Sequence, residues 1–471
     1  MADPKVVSAS PVKSFFVQML TRDIELADAI LDLLDNCIDG VLRMAGKGCD
    51  NPYSNHSIDI EMSSLAFTIS DDCGGIPLNI LKTYAFRMGR EPTMPKDAVA
   101  TVGTFGIGMK RAIFKMGTRC EVLTHSKQDF DAGQKRVCKV AITPDWVKDE
   151  KNWDIPYELV AESRYKKFGT RIKISDLNES TRKAFNCERS GFDEKMRQQI
   201  AVTYGFMISK GLRISVNGKQ VSSVPMMLKC GGDVAPYVYK CKMGNVDVFL
   251  AIGITTPLTE GDGTPEDSGS AKYSAQSAGW TVMCNDRVVL YADKSILTGW
   301  GEAGVPQFHP QYNSISGIVA FNSNDVRALP TTTTKRGVDA ANSVYLAVKN
   351  FMREGTKACV KFTNDWKRRE SEVRDKISTV RSVPFQKMKE GGRDTHSPIN
   401  YVKMGKGLPG FVSKAKLPTP PRVDAAKSLC SLSIEKNKLH VVADYLGLSS
   451  ASARVVAQAA FDHVYEEAIE S

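Results

Sequence analysis

Residues 24–40, IELADAILDLLDNCIDG, restrict the possible folds more than any other stretch of this chain. At the helical step of 100° per residue, Ile24, Ala27, Leu31, Leu34 and Ile38 share one face at spacings of three and four. Ala29, Ile30, Leu33 and Cys37 extend the apolar surface around most of the cylinder. A helix this apolar is expected to be buried. One polar sector of about 100° remains. It holds Glu25, Asp28, Asp32, Asp35, Asn36 and Asp39. Carboxylates along a buried helix are costly unless positive charge meets them. A bound cation, or a nucleotide carrying one, is one such partner. The solvated face of an ordinary amphipathic helix is the other reading.

Three downstream stretches bear on that choice. Residues 67–77, FTISDDCGGIP, run from a β-rich segment into two aspartates and a Cys-Gly-Gly turn. An Asp at a strand end followed by glycines offers its carboxylate to a base edge while the backbone approaches closely. Residues 102–110, VGTFGIGMK, place Gly103, Gly106 and Gly108 before a helical pattern over 109–116. Glycines leading into a helix N-terminus form a phosphate cradle, and Lys110 adds a charge. Residues 168–177, FGTRIKISDL, open an alternating strand with Gly-Thr. Each signal is weak alone; their order and spacing together are specific.

Those motifs resemble the GHKL ATPases, the superfamily of the gyrase B subunit, 90-kDa heat-shock chaperones, histidine kinases, MutL and MORC proteins. The resemblance runs over roughly residues 15–345. It implies an α+β fold: a GHKL (Bergerat) α/β sandwich that binds ATP and Mg, a transducer-like βαβ domain and a small helical tail. It implies that Asp32 activates water and that Asn36, four residues later, holds magnesium, with Asp39 on the same helix at the nucleotide. It places Asp71 on the adenine amino group, Gly75 and Ile76 in the adjoining loop, and Thr170 near the adenine pocket. Gly103, Thr104, Phe105, Gly106, Ile107, Gly108, Met109 and Lys110 fall on the phosphate lid. Lys335, in LPTTTTKRGVD, falls where the family has a lysine that reaches from the transducer to the γ-phosphate, with Arg336 as the alternative. A long cation on a separate domain gains that contact only while the terminal phosphate is present. Asn285 and Arg287 match a family strand bearing an Asn-x-Arg turn.

Two departures matter. The usual catalytic Glu is Asp32, one methylene shorter, so either hydrolysis is slow or the helix sits closer. Glu25 lies two turns earlier, too far to substitute. Cys73 replaces the first glycine of the Asp loop. An ordinary φ is therefore expected at Cys73, and permissive angles at Gly74 and Gly75.

The rest of the 471 residues follows in order. Residues 1–23 end in an apolar run, Phe15 to Leu20, read as a strand of the same sheet or as an arm crossing to a partner. Residues 89–101 have the composition of a lid; Arg87, just before it, and Arg90 and Lys96 within it are either phosphate contacts or solvated loop charges. Residues 196–208 read as a helix, and Asn217-Gly218 as a hairpin turn. The nucleotide domain is expected over 1–225 and the transducer-like domain over 226–345. Strands are expected at 237–242, 246–254, 279–290 and 315–321, with an exposed loop at 255–276. A coupling helix is expected over 346–380 within a helical pattern over 338–380, with the charged run 367–376 facing solvent.

Residues 381–427 carry ten Lys and Arg against three Asp and Glu, most of the +10 net charge of the chain. They read as a basic Pro/Gly linker or a strap along a phosphate backbone. Residues 428–471 read as a helical segment, loosely like a helix-turn-helix. Eleven cysteines include no Cys-x-x-Cys pair, and no His cluster has zinc spacing. With no long apolar run, a cytoplasmic protein that does not span a membrane is expected.

The functional expectation is an ATP-hydrolysing, magnesium-dependent, homodimeric clamp acting on nucleic acid, like MORC or MutL relatives, with DNA held through 381–427 and a setting in antiviral defence or DNA maintenance. The competing expectation is a chaperone-like or protein-interaction switch that binds ATP and partner proteins, turns ATP over slowly or not at all, and binds no DNA. No tyrosine module for topoisomerase chemistry is evident.

Overall fold

The computed structural model describes residues 12–46, 49, 51–87, 107–150, 152–256, 276–332, 334–367, 369–389, 398–405, 409–421 and 433–470. The chain divides into two compact units, 1–419 and 420–471. Helices of nine residues or more are numbered α1 to α8 below.

The first sheet has eight strands: β1 Ser57–Met62, β2 Ala66–Asp71, β3 Gly117–His125, β4 Val137–Ile142, β5 Tyr157–Val160, β6 Gly169–Leu177, β7 Arg213–Val216 and β8 Lys219–Gln220. Their spatial order is β5-β4-β3-β6-β2-β1-β7-β8. All pairs are antiparallel except β1 with β7. Period-two alternation sets one buried face. In β2 it carries Phe67, Ile69 and Asp71 inward together, so the register that builds the core also buries that carboxylate. Helix α2, Leu26–Ala45, packs there with Ile30, Leu34, Ile38 and Val41 fully buried. Helices α3, Gly108–Met116, and α4, Phe192–Thr203, add Ile113 and Ile200 to the same core. The helix expected over 196–208 is broken at Tyr204, and a separate turn, Gly205–Ser209, follows. Asn217 and Gly218 turn the β7–β8 hairpin with φ of 48° and 74°, the left-handed pair a two-residue turn requires.

The expected N-terminal strand is corrected. Lys13–Arg22 is a helix, α1. The apolar run at 15–20 is too dense to show a period. Lys13 instead anchors the element, donating to the carbonyls of Trp146 (2.7 Å) and Asn152 (2.5 Å) and lying over the Trp146 ring. Val17 faces the core, while Phe15 and Met19 are exposed.

The second sheet has order β13-β12-β14-β11-β10-β17-β16. Its strands are β10 Tyr237–Met243, β11 Val246–Ile254, β12 Gly279–Cys284, β13 Arg287–Asp293, β14 Ile315–Asn322, β16 Val402–Lys403 and β17 Phe411–Ser413. The stretch 279–290 is thus a hairpin, reversed at Asn285 and Asp286, whose φ values are 47° and 62°. The helical pattern over 338–380 becomes two helices, α5 Ser343–Asp365 and α6 Glu370–Ser378. Asn342 caps α5 by accepting from the N–H groups of Val344 and Tyr345. Within the charged run, α6 buries Val373 on its inner face.

Residues 381–427 are not a free strap in their described part. Strand β15, Ser382–Pro384, pairs with β9, Met227–Lys229. β17 pairs with β10, Phe385 is fully buried, and Trp366 donates to the Pro418 carbonyl at 2.8 Å. Burying these aromatic groups and pairing this backbone stabilises an ordered path that basic composition does not reveal. The loop 255–276 and the lid 89–101 fall almost wholly or wholly outside the described residues.

The second unit is a helical hairpin of α7 Lys436–Tyr445 and α8 Ala453–Glu470. Gly447, at φ 69°, ends the first helix, and Leu448 donates to the Ala443 carbonyl at 2.7 Å.

Candidate active site

The ladder of the first sheet brings together the residues expected at the adenine. β6 lies between β2 and β3, so its start meets the end of each neighbour. The register sets Thr124 opposite Thr170. Asp71, one step beyond the Ser70–Arg171 pair, meets Thr170 from the other side. Asp71 Oδ1 accepts from the N–H of Thr170 (3.1 Å) and of Cys73 (2.9 Å). Thr124 Oγ1 lies 3.3 Å from Thr170 Oγ1 and accepts from the Ile76 N–H at 2.7 Å. Tyr165 donates to the Asp71 carbonyl at 2.6 Å. Gly74 and Gly75 have φ of 87° and 70°, while Cys73 keeps an ordinary φ. A Cβ on Gly75 would stand 2.3 Å from the His125 carbonyl oxygen, so only glycine brings this loop against β3.

Burial raises the Asp71 carboxyl above its ordinary pKa, against the Cys73 N–H, the Cys37 thiol and the Thr170 N–H, which favour the charged form. The folded protein therefore holds this proton more readily than the unfolded chain. Asp71 lowers stability at neutral pH, and that cost is relieved as pH falls toward the ordinary carboxylate range. Asp71→Asn is expected to raise Tm by about 1 °C, the shift that a gain of about 1 kcal/mol gives at this chain length. The same variant is expected to weaken binding of an ATP analogue more than about tenfold, because an amide N–H₂ opposes a base amino group. Thermal unfolding and calorimetric titration check both; a lower Tm with unchanged binding contradicts the assignment.

The acidic sector of α2 is met by protein cations. Asp32, 6 % exposed, pairs with Arg111 of α3 at 2.7 Å. Asp35, fully buried, accepts from Arg287 Nε on Oδ1 (2.8 Å), Lys335 Nζ on Oδ2 (2.9 Å) and the Tyr204 hydroxyl on Oδ1 (2.8 Å). Arg287 also donates to the Lys335 carbonyl at 2.6 Å. Asp28 is paired with Arg336. Burial pushes the Asp32 carboxyl up, only partly offset by Arg111. Burial also opposes ionisation of Asp35, but Arg287 and Lys335 outweigh it and hold that carboxyl below its ordinary range. Three of the four Asp on this helix, Asp28, Asp32 and Asp35, are thus each met by at least one cation.

The structure thus brings Asp32, Asn36 and Asp39 onto one helix with Gly108 and Met109 alongside, and Lys335 arrives from the segment between β14 and α5. A Cβ at Gly108 would stand 3.2 Å from the Asp32 Cβ, so glycine lets the N-terminus of α3 close on the shorter acid. The Asn36 Nδ2 is buried without a hydrogen-bond partner among the described residues. Asp39 is 5 % exposed. Lys110 is buried, and its ammonium donates to the Arg87 carbonyl; burial lowers its pKa to about 8. Gly103, Thr104, Phe105 and Gly106 lie outside the described residues; Ile107 directly precedes α3. Glu25 is exposed. Sequence reasoning missed Arg111, Tyr204 and Tyr165, and did not connect Arg287 to Asp35. The only signal was the surplus of acids on an apolar helix, which demands cations without saying whose.

With this geometry in view, residues 24–170 match the family described as histidine kinase-, DNA gyrase B-, and HSP90-like ATPase. No curated protein matches the chain. Among the described residues no helix is long and apolar enough to cross a membrane.

Proposed function

Residues 24–170 are a domain of the GHKL ATPase family, and from that premise we propose that this chain is a magnesium-dependent ATPase whose second sheet domain acts as a transducer reporting the nucleotide state. One observation carries the reading: Lys335, from the second domain, places its ammonium 2.9 Å from Asp35, between Asp32 and Asn36 on the nucleotide helix. The residues present fit the expected ligands. Asn36, whose Nδ2 is buried without a described partner and is free to donate, would hold Mg through its Oδ1. That ion would neutralise phosphate charge when bound. Asp71 would accept from the base amino group, and the α3 N-terminus with Gly108 and Met109 would donate to phosphate.

Asp32 is the base that takes the proton from attacking water. Its raised carboxyl is closer to operating pH than an exposed Asp, which suits proton transfer. Arg111 holds it in place. Lys335 has two anionic partners to choose between, Asp35 and a terminal phosphate, and exchange between them moves the β12–β13 hairpin relative to α2. The pairs Asp286–Lys210 (2.7 Å) and Arg287–Asp35 anchor the tip of that hairpin to the nucleotide domain.

Homodimerisation is supported by the exposed Phe15 and Met19 on α1, and action on nucleic acid by the net charge of +10. A protein-interaction switch with little turnover is favoured by one observation, the engagement of Asp32 with Arg111. Lys335→Ala is expected to lower ATP turnover about tenfold to a hundredfold and to reduce the preference for ATP over ADP. The deciding experiment is steady-state ATP turnover of wild type, Asp32→Ala and Lys335→Ala, with and without duplex DNA. Turnover lost in Asp32→Ala and raised by DNA in the wild type supports the clamp. ATP binding without turnover in any condition overturns the enzyme reading in favour of the switch.

A further inference from the structure

The ends of β1 and β2 hold a cluster that the ATPase chemistry does not use. His56 immediately precedes β1, and Asp72 and Cys73 immediately follow β2. One ligand atom from each of His56, Asp72 and Cys73 lies within 4.8 Å of the other two. The His56 Nδ1 to Asp72 Oδ1 distance is 3.5 Å. Donors bound to one ion at about 2.0–2.3 Å in a tetrahedron stand about 3.3–3.8 Å apart, so this edge already has the required length and the thiol needs to close by about 1 Å. The Asp72 carboxylate accepts from Ser57 N–H on Oδ1 (2.7 Å) and Ser57 Oγ on Oδ2 (2.5 Å). Those two bonds fix its orientation and leave lone pairs for a cation. His56 and Asp72 are half-buried and Cys73 is buried, which gives solvent access from one side only.

We propose that His56, Asp72 and Cys73 form a binding site for a borderline-soft divalent cation of the zinc class, with the fourth position open to water. The donor set selects the metal. One thiolate and one imidazole suit Zn²⁺ or Co²⁺ and do not suit Mg²⁺ or Ca²⁺, which take oxygen ligands. The surroundings favour positive charge as well. Burial, together with Asp71 and Asp72, keeps the Cys73 thiol protonated in the metal-free protein, and a divalent ion reverses that balance by stabilising the thiolate. The site lies beside the base pocket, since the Cys73 N–H is one of the donors that orient Asp71. Its ligands come from strands that pair antiparallel, which is why no short spacing in the sequence announces it.

The test uses the full-length protein without nucleotide and with excess Mg²⁺, titrated with Co²⁺. The wild type is expected to develop a near-ultraviolet thiolate-to-cobalt band and tetrahedral visible bands, both removed by Zn²⁺. Cys73→Gly, the residue that the related loops carry, is expected to lose the thiolate band, and His56→Gln to weaken Co²⁺ binding at least tenfold. Thermal unfolding of both variants checks that they fold, and either variant alone keeps the test decisive. No thiolate band in the wild type, or an equal band in Cys73→Gly, overturns the proposal.

Discussion

Arg287→Met is expected to destabilise the protein by about 3–5 kcal/mol, the cost of breaking a buried ion pair from one side. The Arg287 side chain is 3 % exposed and Asp35 is fully buried. Without the guanidinium, Asp35 keeps only Lys335 and Tyr204, and the Lys335 carbonyl loses its donor. Asp35→Leu is expected to cost about as much, since it strands two cations in the same space. The double variant, Asp35→Leu with Arg287→Met, removes both charges and is expected to be more stable than either single variant, because the groups are coupled. Urea unfolding of the four proteins measures this. Additive losses contradict a direct pair. The sign with pH follows from the lowered Asp35 carboxyl. Its contribution is complete above the ordinary carboxylate range and is lost as pH falls through the folded value, so the wild type is expected to lose its advantage over the double variant in acid.

Asp32→Asn is expected to reduce ATP turnover by about 10²–10⁴-fold, the usual contribution of a positioned base, while ATP binding changes by only a few-fold. The companion variant is Arg111→Gln. Arg111 is the main offset to the burial that raises the Asp32 carboxyl. Its loss is expected to raise that carboxyl further and to move the acid limb of the pH–rate profile to higher pH. A limb that stays in place, or turnover that survives in Asp32→Asn, shows that Asp32 is not the base. A purely structural role for Arg111 would lower Tm without moving the limb.

How far the sequence could be read depends on how local each signal is. The period of residues 24–40 fixes both a buried helix and the line of carboxylates along it, because 3.6-residue geometry is set by the backbone alone. The β-rich segment before Asp71 and the Asn217-Gly218 turn give a strand and a hairpin for the same reason. The ordinary φ at Cys73, with left-handed glycines after it, follows from steric rules at single residues. The run at 15–20 has no clear period, so it reads as a strand or an arm, and the helix emerges only where Lys13 meets Trp146 and Asn152. The stretch 381–427 looks like a linker because its composition is polar and basic, yet its ordered part is decided by β10 and β9, strands more than 100 residues earlier that leave edges to be paired.

The acids on α2 show the same division. Sequence alone determined that Asp28, Asp32 and Asp35 share a helix and need positive charge, since burying an unpaired carboxylate is prohibitively costly. It also determined the order of the motifs that the GHKL domain requires. Which cations answer, Arg336, Arg111, Arg287 and Lys335, was decided only by tertiary structure, as was the meeting of His56 with Asp72 and Cys73. Those partners lie far apart along the chain, and side-chain charge carries no address; only the packing of two sheets around one helix brings each cation within 3 Å or so of its acid.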